Sequence, residues 1–173
     1  IDNLKAAGAM SPNAIRQTPE SELALLVYPS GYYNTKARKL KALVGYLGDR
    51  FDDDPNRMAD EALDILRAEL LQVYGIGEET ADDILLYAAG RAVFVIDDYT
   101  RRLFSRLGLT PETGPYAQYR EMFERDLPAD PALFGEYHAL IVRHARDVCK
   151  KRSLCEGCPL LGVCPTGKRN VTE

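Results

Sequence analysis

The sequence predicts an all-α protein. Apolar residues recur at helical spacing in nearly every segment, and capping residues stand at many segment starts. Only "AVFVI", Ala92 to Ile96, has the character of a strand, and no second run offers to pair with it. In chain order, "IDNLKAAGAM" reads as a helix already under way, so a segment is expected before Ile1. Thr18 is expected to cap a helix with Pro19 in its first turn and acids following, where negative charge suits the positive end of the dipole. "NTKARKLKALVGYLGDRF" starts at Asn34 and sets Ala37, Leu40, Leu43, Val44 and Leu47 on one face. "ADEALDILRAELLQVY" repeats the pattern with Leu63, Leu66, Leu70 and Val73, and "EETADDILLYAAG" should stop at Gly90. Thr110 before Pro111 and Asp130 before Pro131 are expected helix starts, the second leading into "PALFGEYHALIVRHARDVC".

A chain of 173 residues supports one sizeable core or two small subdomains. No apolar run approaches the roughly 18 residues that span a membrane, and the first residues lack the basic start and apolar stretch of a signal peptide. The net charge of −4 argues mildly against a nucleic-acid partner. Its distribution is more informative: between Arg143 and Arg169 seven basic residues face two acids. A solvated basic tail would have the same composition.

In "LLQVYGIGEETADDILLYA" two apolar helices are joined by Gly75, Ile76 and Gly77. The glycines permit positive φ and the close approach of another backbone. The next helix opens with Glu78, Glu79 and Thr80, so its unpaired N–H groups can hold a phosphate without any basic side chain. Acids in that turn equally serve the helix dipole, and Gly-x-Gly between helices is weak evidence by itself.

Four cysteines follow as Cys149-x5-Cys155-x2-Cys158-x5-Cys164. Such a cluster, in a chain with nothing to suggest secretion, points to a metal site rather than two disulfides. Spacing does not by itself separate zinc from iron–sulfur, although zinc sites more often use two close pairs.

Taken together, "VYGIGEETA", then "VIDDYTRRL", then the cysteines resemble the helix-hairpin-helix DNA glycosylases of the endonuclease III superfamily. Their pattern is L-x-G-[VI]-G-x-[KSYE]-T-A, an aspartate in V-D-x-x-x-x-R, and C-x6-C-x2-C-x5-C around a [4Fe–4S] cluster. Tyr74 replaces the usual proline, and the first cysteine gap is one residue short. The resemblance implies two all-α subdomains flanking a DNA-binding cleft. Residues 1–19 and 112–173 would carry the cluster, and 20–111 would form a helical barrel with the hairpin. It implies Asp97 as the catalytic aspartate, and Cys149, Cys155, Cys158 and Cys164 as ligands of a structural cluster. That cluster would stake down a loop presenting Lys150, Lys151 and Arg152 to DNA phosphates. His144 has a counterpart beside the first cysteine in some relatives, and is read as a hydrogen-bonded packing residue rather than a ligand. "SGYYNTKARKL" matches the family's G-L-Y-N-x-K-A segment, which puts Tyr32 where a wedge enters the DNA stack. Hinge packing by Tyr32 and Tyr33 is the plainer reading of the same residues.

Glu79 stands where members that also cut the strand carry a nucleophilic lysine. A carboxylate forms no Schiff base, so the resemblance implies a monofunctional glycosylase that leaves the strand intact. A glutamate in "GEETAD" is most like the endonuclease III-like 3-methyladenine glycosylases. N3-alkylated adenine is a cation and an easy leaving group, which a pocket with Glu79 and Asp97 would favour, with Tyr99 or Tyr87 stacking on the base. Removal of uracil or thymine from mismatches is the alternative substrate, and a non-catalytic iron–sulfur DNA-binding protein the alternative class. The expected partner is duplex DNA with a damaged base, bound by a monomer in a bacterial or archaeal cytoplasm.

Overall fold

Helix caps and buried apolar stripes set out ten α-helices, two 3-10 turns and one π turn in a computed structural model describing residues 1–172. No strand occurs among the described residues. By its internal contacts the chain divides into two compact units, Ile1–Ala81 and the residues from Asp82 onward. The expected subdomains group the chain otherwise, joining its first nineteen residues to its C-terminal part.

The first unit contains α1 (Asp2–Ala6), α2 (Pro12–Gln17), α3 (Glu20–Leu26), α4 (Tyr33–Phe51) and α5 (Leu63–Gln72). Leu4, Ala9, Leu23, Ala24 and Ala37 form one buried cluster, so α1 and α3 close on the start of α4. The expected face of α4 is partly buried, with Ala37 and Val44 fully so. Thr18 is not the N-cap of α3 but the C-cap of α2. Its hydroxyl donates back to the Ala14 carbonyl at 2.8 Å, ending α2, and Pro19 occupies the cap position of α3. The helix of "ADEALDILRAELLQVY" begins only at Leu63, because Pro55–Asp60 winds into a 3-10 turn capped by Asp54.

The helix α6 (Glu78–Asp83) runs directly into a π turn, Ile84–Ala88, and Gly90 follows at φ +61° as the expected stop. The second unit then holds α7 (Asp98–Arg106), α8 (Tyr116–Asp126), α9 (Pro131–Asp147) and α10 (Pro165–Thr172). Asp130 caps α9 as expected, accepting from the Ala132 and Leu133 amides. Thr110 starts no helix: α8 begins six residues later behind Pro115, and the Tyr119 hydroxyl ties the intervening loop through the Pro111 carbonyl at 2.9 Å.

"AVFVI" is not a strand. Val93 to Ile96 are buried in the core with no partner strand, and side chains satisfy the backbone instead. The Phe94 amide donates to Glu124 Oε1 at 3.0 Å and the Ile96 amide to the Tyr116 hydroxyl at 3.2 Å. Phe94 stacks on Phe123 with ring centroids 3.9 Å apart and meets Phe134 edge-on at 5.3 Å. An apolar run that would signal a strand in another context is here a rigid buried lead-in to Asp97.

Candidate functional site

Asp97 is the N-cap of α7. Its Oδ1 accepts the Thr100 amide at 2.7 Å, satisfying one of the donors that a helix start leaves unpaired. Its other oxygen, Oδ2, lies 3.6 Å from Nε2 of His138 on α9. Burial pushes the Asp97 carboxyl up. The His138 imidazole and the Thr100 amide more than offset that, so the carboxyl sits below its ordinary value of 3.8. The result is a half-buried carboxylate that stays ionised at neutral pH.

His138 is itself buried, and its Nδ1 lies 2.8 Å from the hydroxyl of Tyr87 in the π turn. Asp83, at the end of α6, also faces this group. Burial raises its carboxyl above the ordinary value, His138 acts against that, and Asp97 adds to it. Tyr87 is the more exposed of the two candidate stacking rings, whereas Tyr99 has the Arg102 guanidinium over its face at 5.1 Å. No local pattern selects His138, because a single histidine on an apolar helix face is an ordinary core residue. Its pairing with Asp97 joins α7 to α9 across a long stretch of chain and leaves no local pattern.

In the first unit, Gly75 turns the hairpin at φ +82°, and a side chain there would collide with the stem of Lys39. Ile76 is buried, Gly77 is open, and Glu79 and Thr80 are exposed in the first turn of α6. The Ala81 amide donates to the Gly77 carbonyl at 2.8 Å, so the helix starts directly at the second glycine. Tyr32 has left-handed backbone (φ +46°) and is 88% exposed, while Tyr33 packs inward against Tyr28. Tyr32 is thus a bulky residue in a sparsely populated conformation with little of its side chain packed. Lys150, Lys151 and Arg152 are exposed, and Arg106 holds the carbonyls of the first two at 2.6 and 2.9 Å.

The four cysteines are free thiols that line one small pocket, together with apolar residues that include Leu103, Leu107 and Leu161. Each sulfur faces a potential hydrogen-bond donor. The Gly167 amide reaches Cys164 at 3.2 Å, Arg106 reaches Cys149 at 3.3 Å and Asn170 reaches Cys155 at 3.5 Å. His144 Nε2 lies 3.7 Å from Cys158 Sγ, so this histidine packs beside the thiols. Donors aimed at sulfur suit thiolate ligands, so the residues fit a thiolate-bound group. Among the described residues no three His, Cys, Asp or Glu side chains are gathered as the ligands of a single ion would be.

An all-α chain with a glycine hairpin, a helix-capping aspartate and a four-thiol pocket defines a class, and similarity to known proteins names it. Residues 1–129 match the model of the HhH-GPD superfamily of base excision DNA repair proteins, and the chain belongs to that family. It is 42% identical over 165 residues to a protein of Methanocaldococcus jannaschii whose name assigns it provisionally as a DNA repair glycosylase, covering 95% of this chain and 75% of that one. The fold matches a solved non-covalent endonuclease III–DNA complex with a TM-score of 0.81 at 24% identity, covering 99% of this chain and 77% of the other. A Helicobacter pylori 3-methyladenine DNA glycosylase, solved with 1,N6-ethenoadenine, matches with a TM-score of 0.70 at 29% identity, over 84% of this chain and 74% of that one. No helix among the described residues is long and apolar enough to cross a membrane.

Proposed function

We propose that the protein is a monofunctional DNA glycosylase that removes an alkylated purine such as 3-methyladenine from duplex DNA. The observation that carries the reading is Asp97, a half-buried carboxylate kept ionised at a helix N-terminus. As the bond from C1′ to the base breaks, its electron pair leaves with the base and positive charge grows on the sugar. The Asp97 carboxylate stabilises that charge. Water then bonds to C1′ and gives up a proton, which the carboxylate accepts and passes to solvent. The product is an abasic site on an unbroken strand. An N3-alkylated adenine is already cationic and departs neutral, so no strong general acid is required of the protein.

In this reading Gly75, Ile76, Gly77 and Thr80 grip a backbone phosphate, Tyr32 enters the stack vacated by the flipped base, and Lys150, Lys151 and Arg152 meet neighbouring phosphates. Residues 20–111 form the barrel that carries the hairpin, and 1–19 with 112–173 the subdomain that carries the cluster. Glu79, in place of a lysine nucleophile, removes the strand-cutting step and adds negative charge for a cationic base. The likeness to a 3-methyladenine glycosylase supports the choice of base. Cys149, Cys155, Cys158 and Cys164 would hold a [4Fe–4S] cluster whose contribution is to pin the basic loop, not to exchange electrons with substrate. Purified protein is therefore expected to be brown, with iron and sulfide in equal amounts, and Cys158→Ser to lose both. A colourless protein holding zinc would remove the cluster from the account.

The function is tested by an excision panel on duplexes containing 3-methyladenine, or uracil or thymine opposite guanine. Release of 3-methyladenine is expected. Excision confined to the mismatches would replace the substrate with the pyrimidine alternative, and tight duplex binding without any excision would make the protein a non-catalytic binder.

A further inference from the structure

The geometry points to His138 as the residue that positions Asp97, with the Tyr87 hydroxyl fixing the orientation of its ring. This rests on the reading of Asp97 as the reacting carboxylate. The His138 side chain is 10% exposed, and its Nε2 has no hydrogen-bond partner among the described residues, the Asp97 Oδ2 at 3.6 Å being its charged neighbour. A carboxylate can only accept, so the ring hydrogen belongs on Nε2, facing Asp97. In the neutral imidazole Nδ1 is then an acceptor, and the Tyr87 hydroxyl at 2.8 Å donates to it. The order is Tyr87 O–H to Nδ1, then Nε2–H towards Oδ2, with Oδ1 held separately by the Thr100 amide.

A packing role alone does not account for this arrangement. Burying a ring nitrogen without a partner costs free energy that a leucine of similar size would avoid. Tyr87 is 56% exposed, yet its hydroxyl turns inward to the ring, and the backbone there is a π turn, a form that often marks functional sites. The charged and titratable groups facing the ring come from three elements: Asp97 at the start of α7, Asp83 at the end of α6, and Tyr87 in the π turn. With the Asp97 carboxylate oxygen opposite it, Nε2 is the nitrogen that carries the ring hydrogen. Oδ2 is thereby aimed without being tightly bound, since 3.6 Å exceeds an ordinary hydrogen bond. That leaves it able to turn to a sugar or a water.

Three variants of the full chain test the assignment: His138→Leu, His138→Gln and Tyr87→Phe. Single-turnover excision by His138→Leu is expected to fall about 10–100-fold, the usual size of effect for an orienting partner. Duplex affinity should not change, and the acid limb of the pH profile should move to higher pH. His138→Gln, which keeps an N–H at the far end of the side chain, should recover most of the rate. Tyr87→Phe removes one oxygen from an exposed ring and should lower the rate several-fold, so it decides the matter if His138→Leu fails to fold. The second readout needs no activity: carbon-13 NMR of the Asp97 carboxyl, assigned with Asp97→Asn, should titrate higher in His138→Leu than in the parent. A folded His138→Leu protein with an unchanged rate and an unchanged Asp97 titration would overturn the role of His138. A parent that excises no base would instead sink the glycosylase reading, and the NMR titration would still decide this one.

Discussion

Replacing Asp97 with asparagine is expected to lower base excision by about 10²–10⁴-fold, the range for losing a positioned acid–base group, and to leave duplex binding intact. Asparagine retains the cap, because its side-chain oxygen can still accept the Thr100 amide as Asp97 Oδ1 does at 2.7 Å. What the proposed mechanism loses is the negative charge that stabilises the sugar cation and the acceptor for the proton of water. Alanine would confound the result, since losing the cap of α7 costs about 1 kcal/mol of stability as well. The carboxyl also has a measurable signature in pH. Burial raises it, but His138 and the Thr100 amide hold it below its ordinary 3.8, so its ionised form favours the fold above that pH. That contribution is lost as pH falls through the folded value. The stability difference between parent and Asp97→Asn should accordingly shrink as pH falls below about 4. The acid limb of parental excision should lie in the same region.

The second large effect is a gain. Glu79→Lys is expected to produce a borohydride-trapped protein–DNA complex where the parent produces none. An amine at this exposed position in the first turn of α6 would meet the helix's positive end, which favours its neutral, nucleophilic form. The same dipole makes the lysine unfavourable by about 0.3–1 kcal/mol, a cost the fold can bear. Once attached to C1′, the amine forms the Schiff base from which the strand is cut. Trapping by the parent would mean that another group supplies the nucleophile, and the monofunctional reading would fail.

The helices were legible wherever a cap or a stripe was local. Asp130 starts α9 as its sequence says, because the side chain needs only the next two amides. Thr18 and Thr110 looked equally persuasive and start nothing, since a threonine before proline also suits the end of one helix or a loop tied from elsewhere. "AVFVI" misled for a related reason: its hydrogen bonds go to Glu124 and Tyr116, distant side chains that no window of sequence reveals. In the candidate site, Asp97, the Gly75–Gly77 hairpin and the four cysteines were readable because each belongs to a pattern of short spacing. His138 and Asp83 were not, because only folding brings α6, α7 and α9 to one carboxylate. Tyr32 lay between these cases. The motif selected it, but only its left-handed backbone and exposed ring separate it from its neighbour Tyr33.

The central claim, excision by Asp97 without strand cutting, is tested most directly on an end-labelled duplex carrying a single 3-methyladenine, incubated with excess parent protein. The products are resolved on a denaturing gel with and without hot alkali. A full-length strand is expected before alkali and cleavage at the lesion after it, with the Asp97→Asn reaction staying full length under both conditions. Cleavage before alkali, or equal yields from parent and Asp97→Asn, would contradict it.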